Sequence, residues 1–272
     1  MKIISSLVAL GFTAFAAAQI APAEMPIQDS MARLRAQPKM ILQLDGTDNH
    51  AGRIKTFSST SFFEWDPLAS NSKVFADIFE FADGFPSRRI TGNGDTVFAY
   101  TNADNTYTST IYGSEMNPQP RDAKGVMLLA LVTEARGTSI YVVRFLKEIF
   151  GGDSASYHTW LPGAQVQTIS AGTVVKDKIS GRVYAPGGDD FYILYLFEER
   201  LKRSCAFHLA RVDATKPFEI SEVIYTDIQK MGSSERILSW TMTVNPLTTA
   251  TTNYTFIPPR TARAIANRRP GG

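Results

Sequence analysis

The stretch "FYILYLF", residues 191–197, consists only of large apolar and aromatic residues. A strand with water on one face alternates apolar and polar residues, and this stretch does not. The stretch "SKVFADIFEF" (72–81) behaves in the same way, because Phe79 and Ile78 are neighbours that would point to opposite sides of a strand. Both stretches predict a sheet whose two faces are covered, or a sheet with one face lining an apolar cavity.

Short β-like runs separated by turn residues extend on either side of these stretches. Between residues 39 and 112, aromatic and β-branched residues form the runs, while Gly, Asn and Asp fill the gaps. The gaps include "GNGD" (92–95) and "NADN" (102–105), whose residues tolerate left-handed turn geometry. Short β-like runs return between residues 164 and 257, so the sequence predicts two antiparallel meanders.

A short helix is predicted before the first meander. Asp29 or Ser30 can cap its N-terminus, and a proline at position 38 ends it. Ile27, Met31 and Leu34 would share one face of this helix. The helix would therefore pack an apolar side against the sheet.

One or two more helices are predicted between the meanders, after the segment "PQPRDAKG" (118–125). The first has apolar or small residues at helical spacing, at positions 126, 129, 130 and 133. In the second, Tyr141, Phe145 and Ile149 share one face, and glycines at positions 151 and 152 end the helix.

The opening stretch "MKIISSLVALGFTAFAAAQ" (1–19) has the pattern of a cleaved export signal. Lys2 precedes a mostly apolar run, and small residues favour cleavage after Ala18. The alternative is a membrane anchor, but the run is shorter than the ~20 residues that span a membrane. We predict a signal peptide over residues 1–18, a single domain over 19–264 and a flexible basic tail over 265–272. The protein would be periplasmic or secreted, without a lipid-anchor cysteine, and not an integral membrane protein.

The charge balance and the cysteine count exclude several classes of protein. With 28 Lys and Arg against 26 Asp and Glu, the chain gives no electrostatic reason to expect a nucleic-acid partner. Cys205 is the only cysteine, so an internal disulfide is excluded. Because Cys205 lies in the apolar run "SCAFHLARV" (204–212), we expect a buried thiol.

The sequence contains no motif of a known catalytic or cofactor site. It has no phosphate-binding glycine loop and no G-x-S-x-G nucleophile elbow. None of His50, His158 and His208 has a second histidine at metal-ligand spacing. Cys205 and His208 are three residues apart along a strand and would therefore face opposite sides. We predict no enzyme activity, no metal and no cofactor, although an acid pair assembled by the fold remains open.

Two local patterns resemble the lipoprotein-carrier superfamily, which has the LolA/LolB-like fold. The stretch "GNGDTVFAYTNADNTYTS" (92–109) resembles a strand pair of that family, with Phe98 where Trp is common and Asn102 replacing a turn Asp. The stretch "NYTFIPPRTARAI" (253–265) resembles the family's closing "F-x-F-x-P-P-x-G-A" strand, with Thr261 where Gly is often found. The order of helices and meanders in the chain is similar as well.

The resemblance implies an α+β fold: an antiparallel, strongly curved half-barrel sheet with helices packed on or plugging the concave face. In that fold the cavity takes lipid acyl chains. The ending of the chain would then be a last strand that packs Tyr254 and Phe256. Pro258 and Pro259 cannot donate ladder hydrogen bonds, so they would stop this strand and protect an open edge.

We therefore expect an exported, carrier-like protein that binds a hydrophobic ligand, a lipid or an acylated protein, in a half-barrel cavity. The candidate lining residues are large aromatics of the strands and one face of a helix. They are Phe63, Trp65, Phe79, Phe98, Tyr100, Leu128, Val132, Tyr195 and Trp240. One alternative is an envelope interaction or sensor module that uses the same fold to bind a protein partner, and a second is an enzyme acting on an envelope polymer.

Overall fold

A computed structural model gives the structure of the protein and describes residues 25–66, 68, 74–94, 96–111, 131, 134–150, 161, 163–246, 254 and 256–265. The fold is α+β: one large sheet and two helices account for most of the described residues. The helices are α1 (Met25–Ala36) and α2 (Ser139–Phe150). The strands are β1 (Lys39–His50), β2 (Arg53–Glu64), β3 (Phe75–Ala82), β4 (Phe85–Asn93), β5 (Thr96–Thr101), β6 (Thr106–Ile111), β7 (Gln165–Ile169), β8 (Val175–Lys176), β9 (Val183–Tyr184), β10 (Phe191–Glu198), β11 (Arg203–Ala210), β12 (Glu219–Met231), β13 (Ser234–Pro246) and β14 (Arg263–Ala264).

The described part of the main sheet has 12 strands in the order β14-β6-β5-β4-β3-β2-β1-β13-β12-β11-β10-β7. All of its pairings are antiparallel except β14 with β6. Both predicted meanders are present, and β1 and β13 pair to join them. Since β14 and β7 lie at opposite ends of the strand order, the sheet is open, which is consistent with a curved half-barrel.

One face of the sheet carries both helices and is called the helix face here. Ile27, Met31 and Leu34 of α1 are buried there, as the sequence predicts. Val142 and Phe145 of α2 are buried in the same core. The second predicted mid-chain helix is therefore confirmed, and the positions that predicted the first one, 126, 129, 130 and 133, lie outside the described part of the chain.

The predicted N-terminal caps of α1 are wrong. The helix begins at Met25, so Asp29 and Ser30 lie inside it. Ser30 is buried, and its hydroxyl accepts a hydrogen bond from the backbone N–H of Ile220 at 2.7 Å. A residue that sequence rules assign to a cap instead ties α1 to β12.

The other face of the sheet, called the opposite face, is covered in part by a small hairpin of β8 and β9. Ile193, Tyr195 and Phe197 are buried on this side of β10, together with Tyr184 of the hairpin. Leu194 and Leu196 of β10 are buried in the core of the helix face, and Tyr192 packs against that core partly buried. The prediction from "FYILYLF" that both faces are covered is confirmed.

The prediction of a closing strand over Tyr254 and Phe256 is wrong. Neither residue is in a strand, and the last strand, β14, follows Pro258 and Pro259 and pairs in parallel with β6. The prolines lack the N–H groups that a ladder needs. Pairing therefore begins only after the backbone has turned, with the N–H of Ala262 bonded to the carbonyl oxygen of Pro259 at 2.8 Å.

Candidate functional site

A cleft opens on the helix face at the end of the sheet where the β1–β2, β3–β4 and β12–β13 hairpins turn. It lies beside the first turn of α2, and its volume is about 290 Å³. This is the lower end of the volumes, about 300–1,000 Å³, that small-molecule sites have. We call it the turn-end cleft. It is lined by Asp48, Phe57, Glu80, Phe81, Ala82, Ser87, Arg136, Gly137, Thr138, Tyr141, Arg236 and Leu238.

The inner wall of the turn-end cleft is aromatic. Tyr141 projects from the first turns of α2 and its ring lies 5.1 Å from that of Trp240 on β13. Trp240 in turn stacks on Tyr225 of β12, with ring centroids 5.2 Å apart. Trp240 is only 1% exposed, so Tyr141 separates it from the cleft and forms the surface that a ligand would meet.

Gly46 makes room for the ring of Phe57, which lines the cleft. The register places Gly46 between Phe57 on β2 and Trp240 on β13. A Cβ atom at Gly46 would lie 2.4 Å from two carbon atoms of the Phe57 ring and 2.9 Å from the carbonyl oxygen of Ser239. A glycine inside a strand often marks such a close approach.

An ion pair between adjacent strands forms one side of the cleft. Arg236 donates from Nε to Oδ1 of Asp48 at 2.9 Å and from Nη2 to Oδ2 at 2.6 Å. The hydrogen bonds from Arg236 lower the pKa of Asp48 below its usual range. Both side chains are partly exposed, so the paired charges stand at the cleft opening.

A buried carboxylate holds the N-terminus of α2 against the sheet. Glu80 of β3 is 5% exposed, and its Oε1 accepts a hydrogen bond from the backbone N–H of Ser139 at 2.6 Å. This contact satisfies a helix N–H that has no partner inside the helix. Burial raises the pKa of Glu80, and the hydrogen bonds from Ser139 oppose that rise.

The charged lining residues of the cleft balance each other. Asp48 and Glu80 stand against Arg136 and Arg236. No excess charge of one sign would draw a simple ion into the cleft. The arrangement instead offers an apolar and aromatic floor with a paired polar rim, which matches an amphiphilic ligand.

Three of the sequence-predicted lining residues lie on the helix face. Phe63, Trp65 and Trp240 are 1%, 2% and 1% exposed, respectively. Trp65 lies at the end of the sheet away from the cleft, where its ring contacts that of Phe150 at 4.9 Å. Its indole N–H donates to the carbonyl oxygen of Arg35 at 3.0 Å. Trp240 alone of the three stands directly behind the turn-end cleft.

Four other predicted residues lie on the opposite face: Phe79, Phe98, Tyr100 and Tyr195. The register places Phe79 opposite Arg89, and Arg89 opposite Tyr100. Tyr195 lies against Tyr184 of the β8–β9 hairpin, with ring centroids 5.6 Å apart. Leu128 and Val132 lie outside the described residues. The structure therefore does not bring the described candidates together in one site.

Sequence reasoning missed the residues that line the turn-end cleft. They come from five strands, β1, β2, β3, β4 and β13, and from the start of α2 with the residues before it, so they are scattered along the sequence. The one available signal was Gly46, a glycine in the interior of a strand, which indicates the close approach of another group.

Asp177 is a second residue that no pattern in the sequence singles out. Its carboxylate is 1% exposed and accepts hydrogen bonds from the Tyr195 hydroxyl at 2.6 Å and the Ser204 hydroxyl at 2.8 Å. The Ser180 hydroxyl at 2.6 Å and the N–H of Ile179 at 2.8 Å complete the set, which we call the Asp177 hub. Burial alone would raise the pKa of Asp177, but these hydrogen bonds outweigh it and hold the pKa below its usual range. The hub fastens the β8–β9 hairpin to the sheet.

The histidine and cysteine of β11 do not form a catalytic pair. Cys205 belongs to the core of the helix face, whereas His208 contacts the Tyr184 ring on the opposite face. Burial raises the pKa of the Cys205 thiol. Burial, with Arg182 nearby, lowers the pKa of His208 to about 4. The thiol is 1% exposed, as the sequence predicts.

The described residues were compared with the requirements of a metal site and of a membrane-spanning helix. Within them, three or more His, Cys, Asp or Glu side chains do not come together in a way that could hold a metal ion. Among the same residues, neither helix is long and apolar enough to cross a membrane.

Comparisons with known proteins give no family for this chain. It matches no protein-family model and no curated protein. An uncharacterized conserved protein from Thermus thermophilus is similar in structure, with 5% identity, a TM-score of 0.40, and coverage of 89% of this chain and 99% of that one. A DUF1329 family protein from Desulfovibrio piger has 9% identity and a TM-score of 0.28, over 80% of this chain and 90% of its own.

A further solved structure that is similar is a putative outer membrane lipoprotein-sorting protein domain from Vibrio parahaemolyticus. It has 8% identity and a TM-score of 0.25, and the match covers 82% of this chain and 91% of that domain. With TM-scores of 0.40 or lower, none of these similarities assigns a function. The functional conclusion therefore rests on the geometry of the cleft.

Proposed function

We propose that this protein binds the apolar part of an amphiphilic ligand, a lipid or the acyl chain of a lipoprotein, in the turn-end cleft. The observation that carries the proposal is the aromatic and aliphatic floor of the cleft, formed by Phe57, Tyr141 and Leu238, beneath a rim of paired charges. Such a floor removes hydrocarbon from water at about 25 cal/mol per Å² of buried area. The rim keeps a polar headgroup hydrated.

The size of the cleft defines how much ligand is buried. About 290 Å³ is enough for part of one hydrocarbon chain, and a wider depression of about 580 Å³ adjoins it. The two share five lining residues, so one ligand can extend from one into the other: Glu80, Ala82, Ser87, Arg136 and Gly137. We place the rest of the ligand along this depression, at the protein surface.

The proposals on fold, export and cellular role rest on the sequence patterns described above. We propose a half-barrel with the helices on its concave side, a cleaved export signal over residues 1–18, and a carrier-like, non-enzymatic role in the periplasm or outside the cell. Residues 19–264 would form one domain. Phe63, Trp65 and Trp240 remain proposed as supports of the ligand-binding face.

A blocked cleft tests the proposal. Ala82 is an exposed lining residue, so Ala82→Trp would place a large ring in the cleft without removing a core contact. We expect binding of a dansyl-labelled fatty acid, followed by fluorescence, to weaken by about tenfold or more. Thr56→Trp is the matched control, because Thr56 is an exposed residue of a strand on the opposite face.

Equal binding by the two folded variants would show that the turn-end cleft does not hold the hydrocarbon. Absence of binding even by the unaltered protein would remove the ligand-binding proposal as a whole. Near-ultraviolet circular dichroism of each variant would establish that the core is intact before either result is interpreted.

A second candidate function is an interaction module that binds a protein partner. Below the helices, the helix face is filled by the chain's own side chains, such as Leu44, Ile78, Val143 and Leu146, each fully buried. A filled interior favours a scaffold over a carrier of large cargo. Native mass spectrometry of the protein from its own compartment distinguishes the two, since a bound lipid supports the first function and a protein complex without lipid supports the second.

A further inference from the structure

The C-terminal segment crosses the opposite face of the sheet as a strap. We use "C-terminal strap" for residues 254 and 256–265. At its start, the ring of Tyr254 lies 5.4 Å from that of Phe75, and at its end β14 adds to the edge of β6. Three kinds of contact hold the strap between these points.

The first contact is an aromatic cup for Phe256. Its ring stacks on Phe98 at 5.3 Å and lies 6.3 Å from Tyr100 and 5.8 Å from Tyr107. Phe256 is 9% exposed, whereas the next residue, Ile257, is 76% exposed. The cup therefore selects one aromatic side chain and leaves its neighbour in water.

The second contact is a pair of hydrogen bonds from Asn105 to Thr261 of the strap. The side-chain amide of Asn105 donates to the carbonyl oxygen of Thr261 at 3.0 Å and to its hydroxyl at 3.0 Å. The Tyr100 hydroxyl donates to Oδ1 of Asn105 at 3.0 Å and so fixes the orientation of the amide. Asn105 has a φ of 47°, a conformation that asparagine tolerates better than most residues.

The third contact is a short parallel ladder. The N–H of Arg263 donates to the carbonyl oxygen of Asn105 at 3.0 Å, and the N–H of Ile265 donates to that of Tyr107 at 2.8 Å. The ladder recognises the extended backbone from Arg263 onwards, and the Asn105 amide recognises the turn just before it, at Thr261. A side-chain pocket combined with edge pairing is the way in which β-sheet domains bind extended peptides.

We propose that the edge of β6, Asn105 and the aromatic cup form a peptide-binding site, which the protein's own strap occupies and which takes in trans a peptide with an aromatic anchor, a turn and an extended end. A cavity of about 260 Å³ beside the strap, lined in part by Phe79, Arg89 and Pro259, leaves room for a larger anchor. This site is on the opposite face from the turn-end cleft, so the inference does not depend on the proposed function.

The tethered strap has a large advantage over a free peptide. A short linker holds a segment at an effective concentration in the millimolar range. Seven residues, 247–253, connect β13 to the strap. A peptide at micromolar concentration should therefore bind well only when the grip of the strap is weakened.

The test uses the full-length protein and a fluorescein-labelled peptide with the sequence "YTFIPPRTARAI" of residues 254–265. Phe256→Ala empties the cup and leaves its walls intact. By fluorescence anisotropy, we expect this variant to bind the peptide about tenfold or more tightly than the unaltered protein does, because three ring contacts favour the incoming Phe. Ile257→Ala is the matched control, and we expect it to behave like the unaltered protein since Ile257 is exposed.

A second substitution and an altered peptide test whether the labelled peptide binds at Asn105 and the aromatic cup. Adding Asn105→Ala to Phe256→Ala should weaken peptide binding by about tenfold, because hydrogen bonds to the Thr261 backbone are lost. A peptide with Ala in place of its Phe should not bind the Phe256→Ala protein. Where Phe256→Ala does not fold, Phe256→Leu retains apolar volume, and an intermediate affinity is expected.

Three results would overturn the inference. One is absence of saturable peptide binding by a folded Phe256→Ala protein, and another is equal binding of the peptide without Phe. The third is a dimer of the unaltered protein in native mass spectrometry that Phe256→Ala dissolves, because the strap would then be exchanged between two copies. Loss of fatty-acid binding in the Ala82→Trp variant affects none of these outcomes.

Discussion

The two faces of the sheet are both covered, but they are held in different ways. On the helix face, α1 and α2 bury a continuous apolar core, and the stabilising contacts are spread over many side chains. On the opposite face, one polar residue helps to fasten each cover: Asp177 for the β8–β9 hairpin, and Asn105, with the aromatic cup and the ladder, for the C-terminal strap. The comparison indicates that single substitutions act globally on the helix face and locally on the opposite face.

The largest expected effect is on the helix face. Phe145 of α2 is fully buried, and Phe145→Ala should lower the free energy of unfolding by about 3–5 kcal/mol because it leaves a cavity in the shared core. Chemical denaturation followed by circular dichroism measures the change. Lys147→Ala, on the exposed side of the same helix, is the control and should change stability by no more than about 0.5 kcal/mol. A similar small loss for Phe145→Ala would mean that α2 is not part of the cooperative core.

On the opposite face, Asp177→Asn should act mainly on the hairpin. The substitution keeps the shape of the side chain but removes the charge that accepts bonds from Tyr195 and Ser204, and a cost of about 1.5–3 kcal/mol is expected. Hydrogen exchange should rise most at residues 175–184. Asp189→Asn is the matched control, since Asp189 is exposed. Uniform loss of protection over the whole sheet would contradict a local role for the hub.

A third substitution, Gly46→Ala, tests whether packing on the helix face controls the shape of the turn-end cleft. Gly46→Ala should destabilise the protein by about 1–3 kcal/mol, because the added Cβ would lie 2.4 Å from the Phe57 ring and that ring must move. Since Phe57 lines the turn-end cleft, fatty-acid affinity should change together with thermal stability. A stable variant with unaltered affinity would show that the position of Phe57 does not control the cleft.

Acidification should lower the free energy of unfolding through His208 on the opposite face and raise it through Glu80 on the helix face. The pKa of His208 on the opposite face is lowered from 6.5 to about 4 by burial and Arg182, so its contribution to stability is lost as the pH falls from 6.5 through 4. The pKa of Glu80 on the helix face is raised from 4.5 by burial, so its contribution is present below pH 4.5 and is lost as the pH rises through the folded value.

Two variants separate these contributions in unfolding experiments across pH. Glu80→Gln keeps the acceptor for Ser139 without the charge and should stabilise the protein above pH 4.5 only. His208→Gln should reduce the loss of stability between pH 6.5 and 4. Identical pH profiles for both variants and the unaltered protein would show that neither group is coupled to folding.

The smallest effect is expected at the rim of the cleft. Asp48→Asn removes the ion pair with Arg236, whose partners are both partly exposed, and pairs of this kind contribute about 1 kcal/mol or less. Unfolding in low and high salt measures it, because the difference from the unaltered protein should shrink as salt rises. A loss that is large and independent of salt would place this pair in the structural core and not at an open rim.

Much of the architecture could be predicted from periodicity. The meanders, the burial of both sides of β10, α2 and the inward face of α1 all follow from which residues are apolar and how they are spaced. The cap of α1 could not be predicted, because Ser30 has a partner, the N–H of Ile220, that is distant in the chain. The closing strand was misplaced for a related reason, since the edge that pairs with β14 belongs to β6.

The candidate site was much less predictable than the fold. Aromatic residues were chosen by size, but size does not say which face of a long, two-sided sheet a residue occupies, and Phe98 and Phe63 lie on opposite faces. The cleft residues Asp48 and Arg236 are far apart in sequence and become neighbours only when β1 pairs with β13.

The sequence by itself determined that this protein is an antiparallel α+β protein with apolar residues on both sides of its strands, because local spacing decides strand and helix. Tertiary structure alone decided where a cleft remains open, which segments cover the opposite face, and that Asp177 and Asn105 fasten those segments. These features depend on pairing register and on contacts between residues distant in the chain, and such contacts form only when the sheet is assembled.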